Sequence, residues 1–342
     1  MISRRLLMKS AGGSAAALAL AQAAAPSPAV AAPAGYSGPR DMPVNVTLLT
    51  LRNADGTETL GVKLGDNVLD VAKAAALLNL PAPSTLERLL MEGSASQLSK
   101  LIAAANESPS AKDAIVPETS VTYGRLFSNP GKIICVGLNY RRHAQEIKMP
   151  EPKFPILFNK YNNSLAPHRC VITLPAPDVA VKFDYETELL IVIGKSARNV
   201  TVADAPDYIA GYCTSNDFSA RDLQLERGSQ WMLGKTMDNF APIGPYFVSA
   251  DLVGDPHKLK LETTVNGEVR QSWSTDDFIF NCYEVVSYIS KHWALEPGDI
   301  IFTGTPHGVI LGKPKDQQVW LKAGDVIESR IEKLGTLSFK LA

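Results

Sequence analysis

The segment FDYETELLIVIG at residues 183–194 constrains this chain more than any other. From Leu189 to Ile193 it is aliphatic throughout, which predicts a strand leading into a core. Alternate side chains of a strand share a face, so Glu186 and Glu188 project together while Thr187 points away. Two carboxylates side by side repel each other and are costly to bury unless something cationic neutralises them. An oxygen-ligated divalent ion such as Mg2+ does so, commonly with a few carboxylates plus waters and substrate oxygens. For these two residues alone, the competing reading is a solvent-facing strand edge.

A third carboxylate lies twenty-nine residues on from Glu188, at Asp217. The stretch GYCTSNDFSARDLQ, residues 211–224, passes from strand to helix and sets Asp217 at the turn, where its oxygens can reach a metal. Arg221 and Gln224 follow, able to hydrogen-bond an anionic substrate. Locally, an N-capping aspartate with a surface salt bridge accounts for the same residues. In GLNYRRHAQE, residues 137–146, a helix would place His143 and Glu146 on one face at i and i+3. A carboxylate that holds an imidazole orients it and raises its basicity, which suits a base that takes a proton from water; a surface pair is the plain alternative. The glycine-rich stretch TGTPHGV, residues 303–309, offers amides and hydroxyls to a carboxylate, or is simply a turn. Gly228 to Gly234 has five intervening residues where a phosphate loop needs four, and Gly312-Lys313 is followed by Pro314. No G-x-G-x-x-G or G-x-S-x-G occurs, which disfavours dinucleotide binding and the commonest serine-hydrolase arrangement.

Around these motifs the chain reads as strands between Pro/Gly turns. Val44 to Leu51 and Thr57 to Leu64 are paired strands, followed by helices at 71–80, 84–91 (Ser84 as N-cap, Glu87 three residues on) and 94–106. From about Tyr123 short strands dominate, including 132–137, a hairpin turned by Asn266-Gly267, and late strands at 299–303 and 325–331, with one helix at 283–292. The predicted fold class is α+β, mostly β: a sandwich or barrel-like body with a small N-terminal α+β lobe. The expected boundaries are 32–43 for a linker, 44–122 for the lobe and 123–342 for the body.

Residues 1–31 have a basic start with adjacent Arg4 and Arg5, a short Ala-rich apolar run and an A-x-A site at 29–31. That is the pattern of an export signal of twin-arginine type, which predicts a periplasmic or secreted protein. The run is too short and weakly apolar to span a membrane. A net charge of −1 gives no reason to expect nucleic acid or an anionic membrane as partner. The four cysteines form no C-x-x-C pair, and no disulfide is predicted.

Six segments, in order, closely resemble the fumarylacetoacetate hydrolase superfamily: ICVGLNYRRHAQE, FDYETELLIVIG, SNDFSARD, WMLGKTMDNFAPIGP, VNGEVRQ and PGDIIFTGTPHGV. The resemblance runs from about Lys132 to Leu341 and points to the branch of acylpyruvases, diketo-acid hydrolases and oxaloacetate tautomerases. It implies a mixed β-sandwich roll, usually a homodimer. It implies Glu186, Glu188 and Asp217 as ligands of Mg2+ (or Mn2+ or Ca2+), and His143 with Glu146 as the water-activating pair on a lid helix. It also implies Lys160 and Lys235 near the substrate's oxyanion, Arg221 and Gln224 as substrate contacts, and the loop of Gly304 and Thr305 as a carboxylate holder. Asn159 and residues 161–163 depart from the family's small residues, so recognition of the substrate's distal end is expected to differ there.

The leading expectation is a divalent-metal-dependent hydrolase that cleaves a C–C bond of a 2,4-dioxo acid, such as an acylpyruvate or a fumarylacetoacetate-like acid, through a stabilised enolate. The same electron sink serves oxaloacetate tautomerisation or decarboxylation, and isomerisation or hydration of a 2-oxo acid. A non-catalytic exported organic-acid-binding protein is the alternative from another class, and the retained His–Glu pair and both lysines argue against it.

Overall fold

The computed structural model describes residues 41–228 and 230–342; the export signal expected at 1–31 and most of the linker expected at 32–43 lie outside them. The aliphatic segment forms the strand Thr187–Ile193, with all seven residues buried. It lies inside an 11-stranded sheet, between the antiparallel strands Ile209–Asn216 and Ile300–Phe302. Leu190 and Val192 join one core cluster with Leu48 and Phe247, while Leu189, Ile191 and Ile193 join another with Val285 and Ile289. Both faces are covered, which is why the strand is apolar without alternation. Each fully buried aliphatic side chain contributes roughly 1.5–3 kcal/mol.

The sheet continues through Ala241–Ser249 to Thr47–Arg52, Glu58–Leu64, Asn67–Asp70 and Ile115–Pro117, so the N-terminal hairpin extends the sheet that carries the carboxylates. Its other end runs through Ile133–Gly137 to Ile156–Asn159. The path is open, so the barrel-like alternative gives way to stacked sheets. A five-stranded sheet is ordered Glu268–Ser274, Lys260–Val265, Val326–Ile331, Gly335–Leu341 and Cys170–Ile172. A polar layer meets it: Thr187 Oγ1 lies 2.5 Å from Thr263 Oγ1 and 2.7 Å from Ser329 Oγ. Thr187 thus faces away from Glu186 and Glu188, as the alternation requires.

The N-terminal helices are Val71–Leu78, Leu86–Glu92 and Ala95–Glu107. The second is capped by Thr85, whose hydroxyl accepts from Arg88 N at 3.1 Å, rather than by Ser84. Glu87 completes no capping box; its carboxylate accepts from Ser128 N and Asn129 N at 2.7 and 2.6 Å, tying the helix to the connection into the body. All four cysteines are free. Among the described residues no helix is long and apolar enough to cross a membrane.

Candidate active site

Glu186 immediately precedes the strand Thr187–Ile193, and Glu188 is that strand's second residue. Register pairs Thr187 with Asn216, so the chain leaving the neighbouring strand delivers Asp217 beside Glu186. Asp217 N donates to Glu186 O at 2.9 Å, and Glu186 N donates to the Asn216 side chain at 3.1 Å. One oxygen from each of Glu186, Glu188 and Asp217 lies within 4.8 Å of the others, and all three residues are buried.

Cations surround two of the three. Lys235 Nζ bridges Glu186 Oε2 at 2.6 Å and Asp217 Oδ2 at 2.9 Å. Lys160 Nζ donates to the other Asp217 oxygen at 2.5 Å. Arg221 Nη2 lies 2.7 Å from Glu186 Oε1, and Arg221 Nη1 donates to Gln224 Oε1 at 2.9 Å. Burial raises the Glu186 carboxyl, but Lys235 and Arg221 outweigh it and hold it at about 2. Burial likewise disfavours charge on Lys235, and Asp217 and Glu186 overcome it, raising the ammonium above its ordinary range.

Glu188 is different. No lysine or arginine among the described residues forms an ion pair with it; its Oε2 accepts from Gly304 N at 2.7 Å. Burial, then the charges of Asp217 and Glu186, push its carboxyl well above the ordinary range. Four buried carboxyl groups (Asp184, Glu186, Glu188 and Asp217) face three buried cations (Lys160, Arg221 and Lys235), which leaves one negative charge once Glu188 ionises. A divalent cation supplies what Glu188 lacks, and three carboxylates make an all-oxygen donor set suited to a hard ion. These residues fit such a metal. Loading it would turn the cluster's net charge to plus one and attract a carboxylate.

Beside the triad, the helix Arg141–Glu146 carries the expected pair. His143 Nδ1 lies 3.2 Å from Glu146 Oε2, and Glu146 Oε1 accepts from Gly308 N at 2.9 Å. Glu146 therefore joins the helix to the loop after the strand Ile300–Phe302. The chain enters the helix through Leu138 at φ 54°, a left-handed conformation rare for so bulky a residue. The next residue secures it: Asn139 Nδ2 donates to Phe280 O and Thr303 O, and its Oδ1 accepts from Phe280 N. Gly304, at φ 93°, packs so closely that a Cβ there would lie 2.9 Å from Asn139 Cβ.

A cavity of about 740 Å³ brings together His143, Glu146, Glu186, Glu188, Asp217, Arg221, Gln224, Lys235, Gly304 and Thr305. Lys160 does not line it; it sits behind Asp217, 3% exposed, as a buried counter-charge. Asn159 and residues 161–163 do not line it either. Tyr161 N donates to Thr236 Oγ1, and Asn163 Nδ2 donates to Thr236 O and Asp238, so this segment braces the chain beyond Lys235. The Thr305 hydroxyl donates inward to Thr187 O and accepts from Gln271 Nε2.

Two positioning residues were not assigned from sequence. Gln271 is 1% exposed; its amide donates to Thr305 Oγ1 and Pro306 O and its oxygen accepts from Thr187 N and Thr263 Oγ1, so it ties the strand to the loop. Asp184, fully buried, accepts from Arg221 Nε and from the amides of Ile310 and Leu311. The alternation that selects Glu186 and Glu188 also places Asp184 in phase with them, a signal present in the sequence.

The family model for the C-terminal region of fumarylacetoacetate (FAA) hydrolase matches residues 132–342. A fumarylacetoacetate hydrolase domain-containing protein 2 homolog of Dictyostelium discoideum is 44% identical over 82% of this chain and 92% of its own length. The human mitochondrial oxaloacetate tautomerase FAHD2A is 38% identical over 80% of this chain and 86% of its own. Among solved structures, a fumarylacetoacetate hydrolase from Exiguobacterium antarcticum aligns with a TM-score of 0.70 at 31% identity, covering 86% of this chain and 99% of that one. Fumarylpyruvate hydrolase from Pseudomonas aeruginosa, in complex with Mn2+ and pyruvate, aligns with a TM-score of 0.56 at 34% identity, covering 62% and 89%.

Proposed function

This chain belongs to the fumarylacetoacetate hydrolase family, and from that premise and the geometry of its site we propose that it is a divalent-metal-dependent hydrolase of 2,4-dioxo acids. The observation that carries this reading is the His143–Glu146 pair facing one cavity with the Glu186–Glu188–Asp217 triad. When bound, the ion would supply Lewis acidity toward the oxygens of a 2-oxo acid; Mg2+ is the proposed ion, with Mn2+ and Ca2+ fitting the same donors.

The chain's own residues supply the rest. Lys235 and Arg221 present positive charge to the substrate's carboxylate and to the negative charge that develops on its oxygens. Glu146 engages His143 Nδ1 and so leaves Nε2 to serve the cavity as base. Nε2 takes a proton from water, and the hydroxide adds to the C4 carbonyl. The C3–C4 bond then breaks, its electron pair passing into the enolate of pyruvate, and C3 takes up a proton. One product is pyruvate and the other is the carboxylic acid of the C4 side.

The names of the mitochondrial relatives favour a second reading, keto–enol tautomerisation of oxaloacetate. There the same imidazole removes a C3 proton, the pair forms the C2–C3 double bond, and the C2 oxygen is protonated. Pyruvate release from 2,4-dioxopentanoate, measured beside enol formation from oxaloacetate with and without Mg2+ or Mn2+, separates the two. Pyruvate that requires the metal supports hydrolysis; enol interconversion without pyruvate replaces it with tautomerisation. Export through residues 1–31 and assembly as a homodimer extend the proposal, and are tested by N-terminal sequencing of the periplasmic protein and by sedimentation.

A further inference from the structure

Beyond the carboxylates, the cavity has an aromatic wall. Phe158, on the strand Ile156–Asn159, and Trp231, at the start of the helix Met232–Lys235, both line it. Their rings meet edge to face with centroids 5.6 Å apart and planes at 73°. The indole also packs on Gly137, where an added Cβ would lie 2.2 Å from the ring. A glycine at that point of the strand Ile133–Gly137 leaves room for the tryptophan ring. Leu225 and Leu311 add aliphatic surface to the same cavity.

This wall is continuous with the triad. Lys235 Nζ sits 2.6 Å from Glu186 Oε2 and 5.6 Å from the Phe158 ring centroid, and Trp231 lies one helical turn before Lys235. With a cation on the carboxylates, a 2-oxo acid held by its oxygens beside Lys235 would have Phe158 and Trp231 within reach of its tail. The volume exceeds what a four-carbon diacid fills and falls in the range of drug-sized ligands.

We propose that Phe158 and Trp231 form a subsite for a planar, apolar tail, so that the substrates are 2,4-dioxo acids with an aryl or extended conjugated group at C4. This rests on the reading of the site as one for 2-oxo acids. Offset or edge-to-face packing of an aryl tail on the two rings favours it over a methyl tail by about tenfold in affinity. Lys148 and Lys313 at the cavity's rim define the rival, an anionic tail.

The test uses three 2-oxo acids of matched length that have no C4 carbonyl and so cannot be cleaved: 2-oxopentanoate, 4-phenyl-2-oxobutanoate and 2-oxoglutarate. Each is titrated by calorimetry into Mn2+-loaded protein. The phenyl acid is expected to bind about tenfold more tightly than 2-oxopentanoate. That ratio is expected to fall below about threefold in Trp231→Ala and to return in Trp231→Phe. Equal affinity for phenyl and methyl tails overturns the proposal, as does a ratio that survives Trp231→Ala. Tightest binding of 2-oxoglutarate overturns it in favour of an anionic tail. Because these ligands are not cleaved, failure of the hydrolase reading shows separately, as absence of pyruvate from a 2,4-dioxo acid.

Discussion

Asp184 Oδ2 lies 2.8 Å from both Nε and Nη2 of Arg221, and the same Nη2 lies 2.7 Å from Glu186 Oε1. A fully buried aspartate thus holds the guanidinium that holds one carboxylate of the triad. The amides of Ile310 and Leu311 bind the same aspartate, so the loop following Gly308, itself bonded to Glu146, is fixed by one side chain to the opposite side of the site.

Replacing Asp184 by asparagine removes this charge and leaves Arg221 with half its ion pairing. Breaking a buried pair by changing one partner costs roughly 3–5 kcal/mol. Asp184→Asn is expected to lower the melting temperature and to weaken Mn2+ binding about tenfold or more, read by thermal unfolding and calorimetry. Unchanged Mn2+ affinity would show that Arg221 does not need Asp184 to position Glu186.

The electrostatics also fix a direction for pH. In the metal-free protein Glu188 keeps its proton well above the ordinary range, because it is buried beside Asp217 and Glu186. The unfolded chain releases that proton near about 4.3. Above that pH the folded state binds more protons than the unfolded one, so stability falls as pH rises toward the folded value. Glu186 runs the other way: held at about 2 by Lys235 and Arg221 despite burial, it contributes stability above the ordinary range that is lost as pH falls toward about 2. A metal ion needs Glu188 ionised. Its binding should release about one proton, and the rise in melting temperature on adding Mn2+ should grow from acid to neutral pH. Calorimetry in buffers of different ionisation enthalpy counts the proton; zero release would refute the assigned state of Glu188.

In the proposed mechanism His143 acts through its unengaged ring nitrogen, and Glu146 through His143. Removing a positioned general base costs on the order of 10²–10⁴ in rate. His143→Ala is expected to lower kcat for pyruvate release by that factor while Mn2+ affinity stays within about twofold, since the imidazole is not one of the three ligands. Glu146→Gln is expected to lower kcat less, because the amide can still accept from Gly308 N or face His143. A His143→Ala enzyme that hydrolyses at the parent rate would remove the pair from the mechanism.

What the sequence made legible followed from short-range rules. The period-two alternation of residues 186–188 gave the shared face, and the i, i+3 spacing gave the His143–Glu146 contact. The aliphatic run of residues 189–193 gave the doubly covered strand. What it hid was long-range. Glu87 looked like the third residue of a capping box, but Ser128 and Asn129 approach from 41 and 42 residues away and claim its carboxylate. Lys160 carried the same charge as Lys235 on paper, and only the fold sets it behind Asp217 rather than in the cavity. Gln271 and Thr305 meet because two sheets stack, which no local pattern encodes.

The chemistry proposed for this site requires one divalent ion shared by Glu186, Glu188 and Asp217. A crystal of the protein loaded with Mn2+, measured at the manganese absorption edge, should show a single anomalous peak per chain, with an oxygen of each carboxylate at about 2.0–2.3 Å. No anomalous peak among these oxygens, with the three side chains still gathered around Lys235, would contradict a metal centre and the enolate chemistry built on it.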